Sequence, residues 1–166
     1  VSGGLDAGVR FGETIAADMI AVPIGPRHRF AVVGSPAYFR KHKPPLTPHD
    51  LKGMPCIRYR FTSGVVYRWE FERGGIEVEI DVTGALTLND QDLMVDAALD
   101  GAGLAYVFEG QVEELIAKRK LVRVLADWCP AYPGFFMYYP SRRQLPAALR
   151  AFVDFAKTPA PAKSKA

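Results

Sequence analysis

The residue types that carry catalysis or bind metal ions are spread along this sequence without the spacing that such chemistry needs. His28, His42 and His49 contain no i, i+4 pair and have no neighbouring cysteine, so the spacing of a zinc site is absent. No serine stands in the Gly-x-Ser-x-Gly pattern of a nucleophile elbow. We therefore predict no catalytic residue, no metal site and no cofactor, and expect that the chain is not an enzyme.

A second group of residues suits ligand binding rather than catalysis. Arginines and aromatic residues stand together where strands are expected to end: Arg10 with Phe11, Arg60 with Phe61, Phe108, and Arg142 with Arg143. A guanidinium group binds a carboxylate in bidentate fashion, and aromatic rings form apolar walls around a ligand. The alternative interpretation is that Arg142 and Arg143 are exposed charges at a helix start and that the phenylalanines belong to the core.

The stretch "LTLNDQDLMVDAALDGAGLAYV" could be mistaken for a glycine-rich phosphate loop. Such a loop follows a strand and precedes a helix, whereas Gly101 and Gly103 follow the predicted helix, so they are expected to end it. Asn89 and Asp90 are good N-cap residues for the same helix. Two interpretations stay open: these side chains only cap the helix, or the helix start contacts a ligand.

Composition narrows the class of protein further. The 166 residues are 49% hydrophobic and 23% charged, with a net charge of +3, which is typical of a globular domain. Lys163 and Lys165 lie in the tail "TPAPAKSKA", and subtracting these two from +3 leaves +1 for the body, too little for a polyanion-binding surface. We expect residues 158–166 to be a flexible tail.

Neither a membrane nor an exported protein is expected. No apolar run approaches the roughly 18 residues that a membrane helix needs, and the first residues carry no signal pattern. Cys56 and Cys129 lie far apart, each beside a proline. Two buried, reduced thiols in a cytoplasmic protein are the favoured interpretation, with a disulfide or a nucleophile as alternatives.

The elements that must position these residues follow from periodicity. Apolar and charged residues alternate on both sides of Gly74-Gly75, which predicts a hairpin with one solvated face. Helical faces are predicted at Leu93, Met94, Ala97 and Ala98, and at Leu145, Leu149, Phe152, Val153 and Ala156. Strands and helices that alternate at this spacing favour a parallel α/β sheet.

Taken together, the sequence resembles the effector-binding domain of LysR-type transcriptional regulators. The segments that carry the resemblance are "DAGVRFG", "AVVGSPAYFRKH", "PLTPHDLKGMPCIRYRF", "YRWEF", "LTLNDQDLMVDAALDGAGLAYV", "LVRVLADW" and "YYPSRRQLPAALRAFVDF". They cover nearly the whole chain in family order.

The resemblance implies an α/β fold of two Rossmann-like lobes joined by two crossing strands, like a periplasmic binding protein. It places lobe I at residues 1–33 and 139–157, lobe II at 34–138, and the crossings near Val33-Gly34 and Tyr138-Tyr139. It implies that the first lobe is incomplete in this sequence. A small-molecule effector would lie between the lobes, against Arg10, Phe11, Gly12, Arg60, Phe61, Thr62, Asn89, Asp90 and Phe108.

The resemblance also implies partners. Effectors in the family are small organic anions or aromatic metabolites, and the domains pair as dimers within a homo-oligomer. The winged helix-turn-helix of the family is absent from this sequence, so contact with DNA is expected only through that missing domain. The alternative function is a solute-binding protein of a transport system, which has the same two-lobe fold.

Overall fold

The computed structural model describes residues 6–11, 19–24, 27–132, 135–140 and 146–157. In chain order its strands and helices are β1 (Gly8–Phe11), β2 (Met19–Ile24), β3 (Phe30–Gly34), α1 (Pro36–Phe39), a 3-10 helix (Pro48–Leu51), β4 (Arg58–Tyr59), β5 (Trp69–Arg73), β6 (Ile76–Ile80), β7 (Thr87–Leu88), α2 (Gln91–Leu99), β8 (Ala105–Phe108), α3 (Glu109–Ala117), β9 (Val122–Val124), a 3-10 helix (Ala126–Trp128), β10 (Phe135–Pro140) and α4 (Ala147–Lys157).

The chain divides into two units. The first unit is formed by Val1–His28 with Tyr132–Ala166, and the second by Arg29–Ala131. The lobe boundaries expected from the sequence, near Val33-Gly34 and Tyr138-Tyr139, stay a prediction. The expected flexible tail, residues 158–166, lies outside the described residues.

The first unit contains a small antiparallel sheet in the order β1-β10-β2. Helix α4 packs on this sheet beside β2. The buried side chains of this core are Val22, Met137, Tyr139 and Val153. Because only one helix and three short strands supply the described core, few apolar side chains stabilise this unit.

The apolar face predicted for the last helix is only partly right. Val153 is 3% exposed, and Leu149 and Ala156 pack against the same core. Phe152 lies on the neighbouring stripe of the helix and is 54% exposed, because residues one position apart in a helix point in different directions. Leu145 lies outside the described residues.

The second unit is built around β3, which pairs antiparallel with both β8 and β9. Strands β8 and β9 therefore run in the same direction. A separate parallel pair, β4 with β7, joins this sheet through a parallel bridge between Cys56 and Leu104. The sheet is mixed, so the parallel sheet predicted from the alternation is partly wrong. The alternation indicates the order of the elements, whereas strand direction depends on pairing between residues far apart in sequence, and β3 runs antiparallel to both of its neighbours.

Helices α2 and α3 cover one face of the second unit's sheet. Met94 and Ala98 of α2 are buried together with Val107 of β8 and Val112 of α3. The predicted face of α2 is wrong at Leu93, which is 54% exposed, because it lies one position away from the buried stripe. The predicted end of α2 is confirmed: Gly101 has a φ of +81°, a conformation that favours glycine.

The hairpin predicted around Gly74-Gly75 is confirmed. Strands β5 and β6 pair with Trp69 opposite Ile80, and both glycines have positive φ, at 60° and 80°, as a tight hairpin turn requires. Trp69 and Phe71 are buried, whereas the glutamates that alternate with apolar residues on both strands are exposed. One face of the hairpin thus packs on the unit and the other is solvated, as the alternation predicts.

Candidate functional site

Three strands of the second unit end at one edge of the sheet. Strands β4 and β7 run parallel, and the bridge between Cys56 and Leu104 shows that β8 runs in the same direction. The carboxyl ends of all three strands therefore lie at the same edge. The residues that follow or end these strands are Arg60, Phe61, Thr62, Asn89, Asp90 and Phe108. The structure thus brings together all six site residues predicted in this unit, and their contact with a ligand stays a prediction.

The segment after β4 forms a tight exposed turn. The backbone N–H of Arg60 donates to the carbonyl of Leu88 at 2.7 Å, which fixes this segment to the end of β7. The N–H of Phe61 donates to the carbonyl of Val65 at 2.9 Å. Arg60 and Thr62 are exposed, and Phe61 is 43% exposed. A guanidinium, an aromatic ring and a hydroxyl are therefore presented to solvent within three consecutive residues.

The ring of Phe61 stands edge-on to two tyrosines. Its centroid lies 5.3 Å from that of Tyr59 and 5.7 Å from that of Tyr67, with interplanar angles of 83° and 79°. Burial raises the pKa of the Tyr67 phenol, and the Glu70 carboxylate raises it further. The Tyr67 hydroxyl consequently stays protonated at neutral pH. The T-shaped contacts with Tyr59 and Tyr67 hold the ring of Phe61 in place although Phe61 is exposed.

The start of α2 lies at the same edge. Asp90 is its N-cap, and a side-chain oxygen of Asp90 accepts a hydrogen bond from the N–H of Leu93 at 3.0 Å, which confirms the predicted capping role. Asn89 is exposed. The Gln91 side-chain oxygen lies 3.5 Å from the N–H of Phe108, so a long hydrogen bond links the helix start to the end of β8.

Phe108 is the outer ring of a stack that runs into the unit. Its ring lies 4.7 Å from Phe30, Phe30 lies 4.4 Å from Tyr106, and Tyr106 lies 5.3 Å from Trp69, all with interplanar angles of 22° or less. Trp69 is fully buried. The alternative interpretation, in which the phenylalanines at the strand ends belong to the core, does not hold for Phe61, which is 43% exposed, and holds only in part for Phe108, which is partly buried.

Reasoning from sequence missed the residues that support this edge. Phe30, Tyr106 and Trp69 back Phe108, and Tyr59 and Tyr67 flank Phe61. The period-two alternation in "CIRYRF" and "YRWEF" was the available signal, since it puts alternate residues on one face of a strand. Which strands lie beside each other could not be read from it.

The predicted site residues of the first unit are placed only in part. Arg10 and Phe11 lie in β1, where their Cα atoms pair with those of Phe136 and Phe135. Gly12 lies outside the described residues, as do Arg142 and Arg143.

Among the described residues, no group of three or more His, Cys, Asp or Glu side chains could hold a metal ion. Cys56 and Cys129 are free and buried, which confirms the favoured interpretation of the two thiols. Within the same residues, no helix has the length and apolar character needed to cross a membrane.

Comparison with known proteins identifies relatives of the sequence. It is 48% identical over 150 residues to a putative transcriptional regulator of Pseudomonas aeruginosa. The aligned residues make up 90% of this chain and 49% of that relative. It is also 46% identical over 155 residues to the HTH-type transcriptional regulator PgrR of Escherichia coli. These residues make up 93% of this chain and 52% of PgrR. The chain spans about half the length of the curated relatives it matches.

Solved structures with the same fold are regulatory proteins as well. The regulatory domain of AphB from Vibrio vulnificus matches with a TM-score of 0.70 at 25% identity, covering 91% of this chain and 73% of that domain. CrgA, a LysR-type transcriptional regulator from Neisseria meningitidis, matches with a TM-score of 0.67 at 25% identity, covering 92% of this chain and 51% of CrgA. These matches confirm the periplasmic-binding-protein-like α/β fold class.

The family model of the LysR substrate binding domain matches residues 1–160. Nearly the whole sequence is therefore accounted for by one domain type. The chain belongs to the LysR substrate-binding domain family.

Proposed function

We propose that this chain is the ligand-sensing domain of a LysR-type transcriptional regulator. The convergence of β4, β7 and β8 at one edge of the second unit is the observation that carries the proposal. In open α/β sheets, ligands bind at the carboxyl ends of the strands. Arg60, Phe61 and Thr62 supply charge, a ring and a hydroxyl there, and Asn89 and Asp90 supply polar groups at the helix start.

The proposed ligand is a small organic anion or an aromatic metabolite. An exposed guanidinium beside two T-shaped aromatic contacts suits a molecule with an acidic group and an apolar body. Arg10, Phe11 and Gly12 stay proposed effector contacts, as the family resemblance implies. The ligand is bound and released unchanged, so the domain is not an enzyme, and no cofactor takes part.

The proposed output is regulation of transcription in the cytoplasm. Effector binding shifts the domain between conformations to the extent that the effector prefers one of them. The shift passes through a homo-oligomer, in which these domains pair as dimers, to DNA-binding domains in another part of the parent protein. The named relatives are transcriptional regulators, and this supports a regulatory function over that of a transport solute-binding protein. No membrane partner is proposed.

Thermal unfolding with a ligand panel tests the proposal. A compound present at about 100 times its dissociation constant stabilises the domain by roughly 2.7 kcal/mol. We expect at least one small carboxylate or aromatic compound to raise the unfolding midpoint, and Phe61→Ala and Arg60→Gln to reduce that rise. Arg119→Gln, in the exposed turn that follows the far end of α3, is a control that should keep it. A chain that converts the bound compound into a product would contradict the proposal.

A further inference from the structure

Arg58 is a partly buried cation in the strand that leads to the candidate site. It lies in β4 opposite Thr87 of β7, and its backbone N–H donates to the carbonyl of Leu86 at 3.0 Å. Successive side chains of a strand point to opposite faces. Ile57 and Tyr59 pack against the core under α2, so Arg58 shares the other face with Arg60.

The guanidinium of Arg58 has no partner within the described part of the chain. Its Nε atom is buried and makes no hydrogen bond there, and no carboxylate of the described residues forms an ion pair with it. Arg60, two positions along, likewise makes no side-chain hydrogen bond or ion pair among these residues. Two guanidinium groups on one strand face are thus left without a counter-charge.

Arg123 shows how the same unit treats another partly buried arginine. Its Nε is also buried without a partner, but its Nη1 atom pairs with Glu109 and its Nη2 atom donates to the carbonyl of Phe30 at 3.4 Å. The charge of Arg123 is therefore compensated inside the fold. Arg58 has no such partner among the described residues: its Nε is buried, whereas its Nη atoms, which also make no hydrogen bond there, are not.

An external anion would supply the counter-charge that Arg58 lacks. A carboxylate accepts two parallel hydrogen bonds from the two Nη atoms of one guanidinium and neutralises its charge, whereas the Nε of Arg58 is buried and out of its reach. Exposure rises along the segment around β4, from buried Cys56 before the strand through partly buried Arg58 to exposed Arg60 after it. A carboxylate that approaches from this end meets Arg60 first and Arg58 deeper in.

We propose that Arg58 is the residue that binds the carboxylate of the effector, with Arg60 as a second, solvent-exposed contact to the same group. This assignment rests on the proposed sensory function and narrows its ligand class to organic acids. The selectivity between a carboxylic acid and its amide is then set at Arg58, because an amide cannot accept two charge-assisted hydrogen bonds from one guanidinium.

The test uses the full 166-residue chain with acetate, benzoate, succinate and inorganic phosphate, each organic acid being paired with its amide. Unfolding midpoints are measured for wild type, Arg58→Gln, Arg58→Lys and Arg68→Gln. Arg68 is a matched control because it is exposed and already paired with Glu79. The Nε–Hε resonance of Arg58, assigned by its loss in the variants, is followed by NMR during each titration.

We expect a carboxylate, and not its amide, to raise the wild-type midpoint and to shift the Arg58 resonance. Arg58→Gln should weaken this binding at least tenfold while unfolding without ligand at the same or a higher temperature than wild type. Arg58→Lys should bind with intermediate affinity, and Arg68→Gln like wild type. A shift caused by phosphate alone would assign the site to inorganic oxyanions and overturn the inference.

Other outcomes separate this inference from the proposed function. If Arg58→Gln binds the carboxylate as tightly as wild type, or is less stable than wild type without ligand, Arg58 has a structural role and the inference fails while the sensory function stands. If only amides or neutral aromatic compounds raise the midpoint, the inference about Arg58 also fails while the sensory function stands. If no compound of any class changes either measurement, both the inference and the proposed function are contradicted.

Discussion

Glu70 of β5 lies directly opposite Glu79 of β6 across the antiparallel hairpin. Like charges in directly opposite positions are destabilising. Reduced hydration and the facing Glu79 carboxylate raise the pKa of Glu70. The solvated face of the hairpin therefore carries electrostatic repulsion at neutral pH, and it is only partly offset by the 3.2 Å ion pair between Arg68 and Glu79.

Glu70→Gln should stabilise the domain by about 0.2–1 kcal/mol at neutral pH, because it removes the repulsion and keeps the ion pair of Glu79. Because the pKa of Glu70 is raised in the folded state, the folded chain binds a proton at Glu70 more tightly than the unfolded chain does. Protonation of Glu70 therefore stabilises the fold at acidic pH, and this stabilisation is lost as the pH rises through the folded-state pKa. The gain from Glu70→Gln should accordingly vanish in acid. Urea unfolding at a series of pH values measures it, with Glu113→Gln as an exposed control on α3.

Gly84 packs closely against the backbone of Cys56, which lies two residues before β4. A Cβ atom at this position would lie 1.8 Å from the carbonyl oxygen of Cys56, a distance that only a backbone shift could relieve. Gly84→Ala should therefore destabilise the domain by more than about 2 kcal/mol and disturb the Cys56–Leu104 bridge that aligns β4 with β8.

Gly110 supplies the control for this substitution. It lies in α3, and a Cβ atom added there would have no neighbouring atom within 4 Å, so Gly110→Ala should stabilise the helix by about 0.5–1 kcal/mol. Chemical denaturation of both variants gives the comparison. Equal effects of the two substitutions would show that the close approach at Gly84 does not constrain the fold.

The two thiols should be unreactive in the folded chain. Burial raises the pKa of Cys56 to about 12 and that of Cys129 to about 11, so almost no thiolate is present at mildly alkaline pH, and the thiolate is the reactive form. We expect a thiol reagent to label neither cysteine until the chain unfolds, and both in denaturant. Rapid labelling of the native chain would contradict the burial of these residues.

Glu109 and Arg123 form the most buried ion pair among the described residues, with side chains 24% and 16% exposed. Glu109→Gln or Arg123→Met alone should cost about 1.5–3 kcal/mol, because each leaves a charged partner uncompensated. The double variant should cost less than the sum of the two single changes, as urea unfolding of all three variants would measure. Lys118→Met, which breaks the exposed pair with Glu114, should change stability by only about 0.5 kcal/mol or less.

Local structure follows directly from the order of the residues in this chain. Two glycines between alternating runs specify the β5–β6 hairpin, because only glycine adopts two consecutive positive φ angles without strain. Asp90 and Gly101 specify the ends of α2 through hydrogen bonding and backbone conformation within a few residues. The family resemblance then extended these local signals to the fold class.

Which of these pieces meet depends on long-range packing. The side chains of Leu93 and Phe152 are exposed, because each lies one position away from the stripe that packs, and periodicity alone does not fix a helix's rotation to that precision. The parallel alignment of β4, β7 and β8, which gathers Arg60 and Phe108 at one edge, depends on strand pairings between residues far apart in sequence. The missing counter-charge of Arg58 is likewise a property of the packed structure, since a lack of partners becomes visible only when every neighbour is placed.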